Sequence, residues 1–113
     1  MSKPKISVVC VTFDSADCLP DFLRSLEKLP ADGFEIIFID NHSTDSTVQL
    51  IQKWERVSLL IQNEQNLGWP AANNQGVQAA TGEFIFFANP DIWFEWNDLQ
   101  KLAQFLDEQP KFA

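Results

Sequence analysis

Apolar residues follow two alternating rhythms along the chain. Ile6-Ser7-Val8-Val9-Cys10-Val11-Thr12-Phe13 is β-branched and almost continuously apolar, the pattern of a strand covered on both faces. Leu19, Phe22, Leu23, Leu26 and Leu29 then recur at helical spacing, with Pro20 in the first turn and Pro30 as a stop. Phe34 to Ile39 reads as a second buried strand ending at Asp40. Ser43 is placed to cap a helix that shows Val48, Ile51 and Trp54 on one face, with Asp45 in its first turn. Val57 to Ile61 predicts a third, short strand, and Pro70 opens a small-residue helix that runs to Ala80. Glu83 to Ala88 predicts a fourth strand, and Leu99, Leu102, Ala103 and Leu106 a last amphipathic helix.

Strands alternating with helices imply an α/β fold with a parallel sheet and right-handed crossovers. If that sheet is open and doubly wound, ligands sit beyond the C-terminal ends of its strands. Those ends carry Thr12-Phe13-Asp14, Asp40-Asn41-His42-Ser43, Gln62-Asn63 and Asn89-Pro90-Asp91, so polar groups collect where the fold rule puts a site.

Charge narrows the ligand. The chain has 8 Lys and Arg against 16 Asp and Glu, a formal net charge of −8, which argues against nucleic acid or an anionic membrane as the main partner. Between Arg56 and Lys101 there is no basic side chain at all. A phosphate bound there needs backbone amides, a helix N-terminus or a metal ion. No apolar stretch approaches the ~20 residues of a membrane span, and the short run after Met1 is not expected to be a signal peptide. Cys10 and Cys18 read as free thiols of a cytoplasmic protein.

Each candidate for chemistry has a plainer alternative beside it. Asp91 is a hard oxygen ligand suited to Mg²⁺ or Mn²⁺, and Asn89 can add an uncharged amide oxygen; Asn-Pro-Asp is equally a good turn. Asp40 can accept from a nucleobase or ribose, or close an Asx turn. Thr12 and Asp14 can touch ligand or cap the first helix. Asn73 and Asn74 lie in a predicted helix, where Asn is a poor former, so hydrogen bonding to a ligand competes with plain packing by Ala72, Gly76 and Ala80. The chain has no G-x-G-x-x-G after the first strand and no P-loop, and its Ser and Cys residues have no evident His or Lys partner.

Four motifs in order carry a resemblance: ISVVCVTFDS at 6–15, EIIFIDNHSTDST at 35–47, NLGWPAANNQG at 66–76 and GEFIFFANPDI at 82–92. Together they resemble the family 2 glycosyltransferases, nearest their rhamnosyltransferase-like branch. The resemblance implies a Rossmann-like GT-A fold, for which the strand order expected is 3-2-1-4, with a first half that binds a nucleotide-sugar donor. By position it implies Thr12, Asp14, Asp40, Asn73 and Asn74 at the nucleotide. It also implies Asp91, aided by Asn89, at a divalent Mn²⁺ or Mg²⁺ that bridges the diphosphate. Members of the family run on well beyond this length, so residues 1–113 are expected to form one truncated donor-binding domain without the acceptor half or the catalytic base. The function expected is inverting sugar transfer to a hydroxyl, here only its donor-binding part. The alternative is a non-catalytic nucleotide-binding or protein-interaction module derived from such an enzyme. Phe84, Phe86, Phe87, Trp93, Phe94 and Trp96 would then lack their usual cover, which predicts a homodimer through the Phe84–Trp96 region.

Overall fold

The computed structural model describes residues 6–30 and 32–91, together with Lys101 and Gln104. Seven elements follow in order: β1 (Ile6–Thr12), α1 (Leu19–Leu26), β2 (Phe34–Asp40), α2 (Thr47–Lys53), β3 (Leu59–Gln62), α3 (Trp69–Ala79) and β4 (Phe84–Ala88). The strands form one parallel sheet in the order β3-β2-β1-β4, as the sequence pattern and the resemblance predict. Thr12 stands opposite Asp40, Asp40 opposite Gln62, and Cys10 opposite Ala88, so the strands end close to one level.

Strand alternation assigns residues to two faces of the sheet. Val8, Cys10, Ile36 and Phe38 pack on one side against Leu19, Phe22, Leu23 and Leu26 of α1 and against Ile51 and Trp54. Phe38 is the centre of that layer, meeting the Phe22 and Trp54 rings edge to face at 6.4 Å and 6.2 Å. Val9, Ile37 and Ile39 face the other way, onto Ala72 of α3. A Cβ on Gly76 would lie 2.3 Å from Val9 Cγ1 and 3.0 Å from Ile39 Cδ1, so the absent side chain lets α3 settle directly on β1 and β2. At the N-terminal ends of the strands, Glu35 accepts from Ser7 Oγ at 2.6 Å and from Thr81 N at 2.9 Å, tying the α3–β4 turn to the sheet.

Element ends differ from the sequence expectation where side chains found other partners. Ser43 does not cap α2, which starts at Thr47 with Ser46 at the N-cap position. The Ser43 hydroxyl instead donates to Asp40 and accepts from the Asp14 N–H, so it is taken before the helix begins. Strand β3 starts at Leu59 rather than Val57, and the preceding turn is tied to the C-terminal end of α1. There the Arg56 guanidinium donates to the carbonyls of Leu26, Glu27, Leu29 and Pro30. Strand β1 ends at Thr12, leaving Phe13 outside it and 50% exposed.

The aromatic fourth strand is better covered than expected. Phe84 and Phe86 are half-buried against the α1–α2 layer, whereas Phe87, on the opposite pleat, is 45% exposed. Trp93, Phe94 and Trp96 lie outside the described residues, as does most of the predicted last helix, of which Lys101 and Gln104 are helical and exposed. Among the described residues no helix is long and apolar enough to cross a membrane. Both cysteines are free thiols.

Candidate functional site

A cavity of about 470 Å³ opens beyond the C-terminal end of β1, within the usual range for small-molecule sites. Its floor is Val11. The β1–α1 loop contributes Phe13, Asp14, Ser15 and Cys18, and the end of β2 contributes Asn41. The loop before α3 contributes Asn66 and Gly68, the start of α3 contributes Trp69, and the end of β4 contributes Asn89, Pro90 and Asp91. Two carboxylates and three amides thus share the wall with two aromatic side chains, and none of the lining residues is basic.

Loop-to-loop hydrogen bonds build the wall. Asp14 sits at φ 47° and His42 at φ 73°, left-handed conformations that Asp and His tolerate better than most residues. Asp14 is held there from both ends: its N–H donates to Ser43 Oγ at 2.8 Å, and its Oδ1 accepts from the Thr44 N–H at 2.8 Å. The Ser15 N–H donates to Thr47 Oγ1 and the Ala16 N–H to Asp45 Oδ2. The Thr47 hydroxyl, helped by the N–H groups of Thr47 and Ala16, holds the Asp45 carboxyl below its ordinary value. Asp45 is therefore a fastener between two loops.

Thr12 and Asp40 lie one layer back. Asp40 is 1% exposed and Thr12 fully buried. Asp40 Oδ1 accepts from Thr12 Oγ1 at 2.7 Å and from Ser43 Oγ at 2.6 Å, while Oδ2 accepts from the Ser43 N–H at 2.8 Å. Those bonds keep the 40–43 loop folded toward Asp14, and neither residue is among those lining the cavity.

A second set of bonds joins the other side. Asn63 and Gln75 exchange reciprocal amide hydrogen bonds at 2.8 Å, and Asn63 Nδ2 also donates to Asn41 Oδ1 at 2.9 Å. Asn41 in turn meets the Leu67 N–H and the Gly68 carbonyl. Gly68 carries φ 86° as the N-cap of α3, a conformation that suits glycine, and Trp69 follows it 54% exposed at the cavity rim. Asn73 is buried one turn into α3, where its Nδ2 has no hydrogen-bond partner among the described residues, and Asn74 is exposed; neither belongs to the lining.

Of the residues singled out in the sequence, the cavity gathers Asp14, Asn89 and Asp91. Sequence reasoning passed over Asn41, Cys18 and the two rim aromatics as site residues. The signal for Asn41 was its place directly after Asp40 at a strand end, and for Trp69 its place beside Gly68. Burial, then the neighbouring Cys18 and Asp91, pushes the Cys10 thiol far up, and burial likewise raises Cys18. Among the described residues no group of three or more His, Cys, Asp or Glu side chains forms a ready-made metal cage. The donor set that is present, carboxylates and amide oxygens facing an open cavity, suits a cation that takes one or two protein carboxylates and completes its shell with substrate phosphate and water.

Known proteins place this architecture. The Glycosyl transferase family 2 model matches residues 7–113. Poly(ribitol-phosphate) beta-N-acetylglucosaminyltransferase TarS of Staphylococcus aureus is 34% identical over 109 residues, covering 92% of this chain and 19% of its own length. The poly(ribitol-phosphate) beta-glucosyltransferase of Bacillus spizizenii is 35% identical over 111 residues, covering 92% of this chain and 17% of its own length. The chain therefore spans under a fifth of the length of these two relatives. The crystal structure of S. aureus TarS 1-349 in complex with UDP-GlcNAc superposes with a TM-score of 0.83 at 33% identity, over 92% of this chain and 31% of that one. The mannosyltransferase PcManGT of Pyrobaculum calidifontis, solved with GDP-Man and Mn²⁺, shares the fold at a TM-score of 0.76 and 24% identity, over 88% of this chain and 31% of that one. The sheet order, the loops at its C-terminal edge and the family match converge: the chain belongs to glycosyl transferase family 2.

Proposed function

We propose that residues 1–113 form a donor-binding domain that holds a nucleotide sugar in the cavity above β1, for inverting transfer of the sugar to a hydroxyl acceptor. The observation that carries this reading is the meeting of Asp14, Asn89 and Asp91 in one wall that, among the described residues, contains no basic side chain. A nucleoside diphosphate leaving group develops negative charge, which such a wall stabilises through a divalent cation. Asp91 is its main protein ligand and Asn89 a weaker one. Asp14 contacts the nucleotide directly, while Thr12 and Asp40 support it from behind through Ser43. Asn73 and Asn74, on α3 outside the cavity lining, complete the set near the nucleotide. Uridine nucleotides are the first probes, since TarS has been solved with UDP and with UDP-GlcNAc.

Cys18 provides the test. It lines the cavity, whereas Cys10 is sealed in the core. Iodoacetamide at neutral pH is expected to alkylate Cys18 slowly and to leave Cys10 untouched in the folded protein. UDP with Mn²⁺, at about 100 times its Kd, leaves about 1% of sites open and is expected to slow Cys18 alkylation about tenfold or more. Equal rates with and without nucleotide overturn the assignment of the cavity.

The proposal includes a cytoplasmic setting and a two-fold dimer through the Phe84–Trp96 region. Among the described residues, the dimer rests on Phe87 alone as a large exposed side chain of β4. Sedimentation equilibrium at micromolar concentration is expected to give twice the chain mass, and a monomer at all concentrations removes the dimer from the reading.

A further inference from the structure

The apolar pattern of β4 does not by itself fix the height of that strand in the sheet. The strand is five residues long and, among the described residues, pairs with β1 alone. A slip of one residue turns the half-buried Phe84 and Phe86 outward, which their burial opposes. A slip of two exchanges Phe84 with Phe86 and Ile85 with Phe87, so each face keeps its apolar character. The site does not tolerate such a slip, because Asn89, Pro90 and Asp91 follow directly on Ala88. At a strand rise of about 3.3 Å per residue it carries Asp91 about 6.6 Å along β1, far more than a metal–oxygen bond of about 2.1 Å can follow.

A polar latch at the opposite end of the strand supplies the missing register. The Gly82 N–H can only donate, and it meets Ser7 Oγ at 2.8 Å. The Ser7 hydroxyl passes its own hydrogen to Glu35 Oε2 at 2.6 Å, and the same oxygen accepts the Thr81 N–H at 2.9 Å. Two consecutive N–H groups of the α3–β4 turn are thus held by one fully buried hydroxyl on β1 and one carboxylate on β2. The approach is as close as glycine allows. A Cβ on Gly82 would lie 2.7 Å from both Ser7 N and Ser7 Oγ and 3.0 Å from the Ile6 carbonyl carbon. A two-residue slip brings Ala80 or Phe84 to that place, and neither fits it.

We infer that Glu35 and Ser7 are positioning residues for the metal-binding end of β4: they hold Gly82 at one height on β1, and the strand carries that height to Asp91 at the far edge of the sheet. The inference rests on the donor-site reading above, in which Asp91 holds the cation, and adds the residues that aim it. Asp14 and Asp40 belong to β1, β2 and the loops that follow them, and their bonds to Ser43 and Thr44 do not pass through β4. Loss of the latch therefore uncouples the metal from the nucleoside and leaves the nucleoside wall in place. Glu35→Gln keeps the latch: its oxygen accepts from Ser7 and from the Thr81 N–H, while its NH₂ takes the place of Oε1, 3.2 Å from Thr81 Oγ1, and donates there. Glu35→Ala removes it.

Calorimetric titration of UDP with Mn²⁺ is expected to show a loss of about tenfold for Glu35→Ala, the lower end of what removing the support of a metal ligand costs. Glu35→Gln is expected to stay within about twofold of the parent, the scatter of a change that leaves the interaction intact. Uridine needs no metal, and its titration followed by nuclear magnetic resonance is expected to give affinities within about twofold for all three proteins. Gly82→Ala, whose new methyl group wedges β4 away from Ser7, is expected to show the same split as Glu35→Ala. A merely structural role would lower UDP and uridine affinity together, or lower thermal stability and leave both affinities alone; either result overturns the inference. Should Glu35→Ala fail to fold, Ser7→Ala, which deletes a single hydroxyl, takes its place under the same expectation. A parent that binds neither ligand overturns the donor-site reading itself. A parent that binds UDP equally well in Mn²⁺ and in a chelator removes the metal from Asp91, and this inference with it, while the nucleotide site stands.

Discussion

Asp91→Ala is expected to abolish Mn²⁺-dependent nucleotide binding, lowering affinity at least about 100-fold, whereas Asn89→Ala lowers it only severalfold. The size of the effect follows from what else is available. The cavity wall carries two carboxylates, and one of them, Asp14, already accepts the Thr44 N–H. Asp91 is exposed at the end of β4, where no hydrogen bond engages it among the described residues. Among the described residues no Lys or Arg lines the cavity to take over the neutralisation of a diphosphate. Groups one shell removed from a metal typically contribute about 10–100-fold to its affinity, so a principal ligand contributes at least as much. Asn89 lacks charge, and its amide oxygen is replaceable by water. Titration of UDP into each variant with excess Mn²⁺ makes the comparison. Unchanged affinity in Asp91→Ala removes Asp91 from the metal site and leaves the diphosphate to backbone donors.

The expectations that held are those resting on a single physical cause visible in the chain. Continuous apolar runs at Val8 to Val11 and Ile36 to Ile39 have no stable place except inside a parallel sheet, and the helical spacing of Leu19, Phe22, Leu23 and Leu26 leaves α1 only one face to bury. Asp14, Asn89 and Asp91 were legible because a doubly wound sheet gathers strand-end residues at one edge. What stayed hidden depends on which partners meet across long separations. Thr12 and Asp40 are 28 residues apart, and only their opposition in the β1–β2 register makes each the other's hydrogen-bond partner. Ser43 looks like a helix cap until Asp40 and Asp14 compete for its hydroxyl. Asn41, Asn63 and Gln75 are spread over three elements, and no local pattern announces that their amides close into one chain. Phe84, Phe86 and Phe87 read alike in sequence, yet the pleat turns the first two into the core and the third outward.

Asp40→Asn is expected to lower stability by about 3 kcal/mol and nucleotide affinity by about tenfold, both for one reason. The carboxylate accepts three hydrogen bonds, from Thr12 Oγ1, Ser43 Oγ and the Ser43 N–H. Hydrogen bonds to a charged group each contribute about 1.5–3 kcal/mol, and a buried donor left without an acceptor costs about 1–3 kcal/mol. An amide in the same place must turn its NH₂ toward either the Ser43 N–H or the two hydroxyls. In the first case donor faces donor; in the second the buried Thr12 hydroxyl loses its acceptor. The 40–43 loop loosens either way, and with it the Ser43 hydroxyl that holds the Asp14 N–H at 2.8 Å. Asp14, at φ 47°, then keeps only its bonds from Thr44 in the same loop, so its place in the cavity wall is weakened. Ser43→Ala separates this route from a direct contact. It removes the link to Asp14 while leaving Asp40 charged, buried and bonded to Thr12. If Asp40 acts through the loop, Ser43→Ala reproduces most of the affinity loss with a smaller loss of stability, as measured by UDP titration and urea unfolding. If Asp40 itself touches the nucleotide, Ser43→Ala binds like the parent and only Asp40→Asn is impaired.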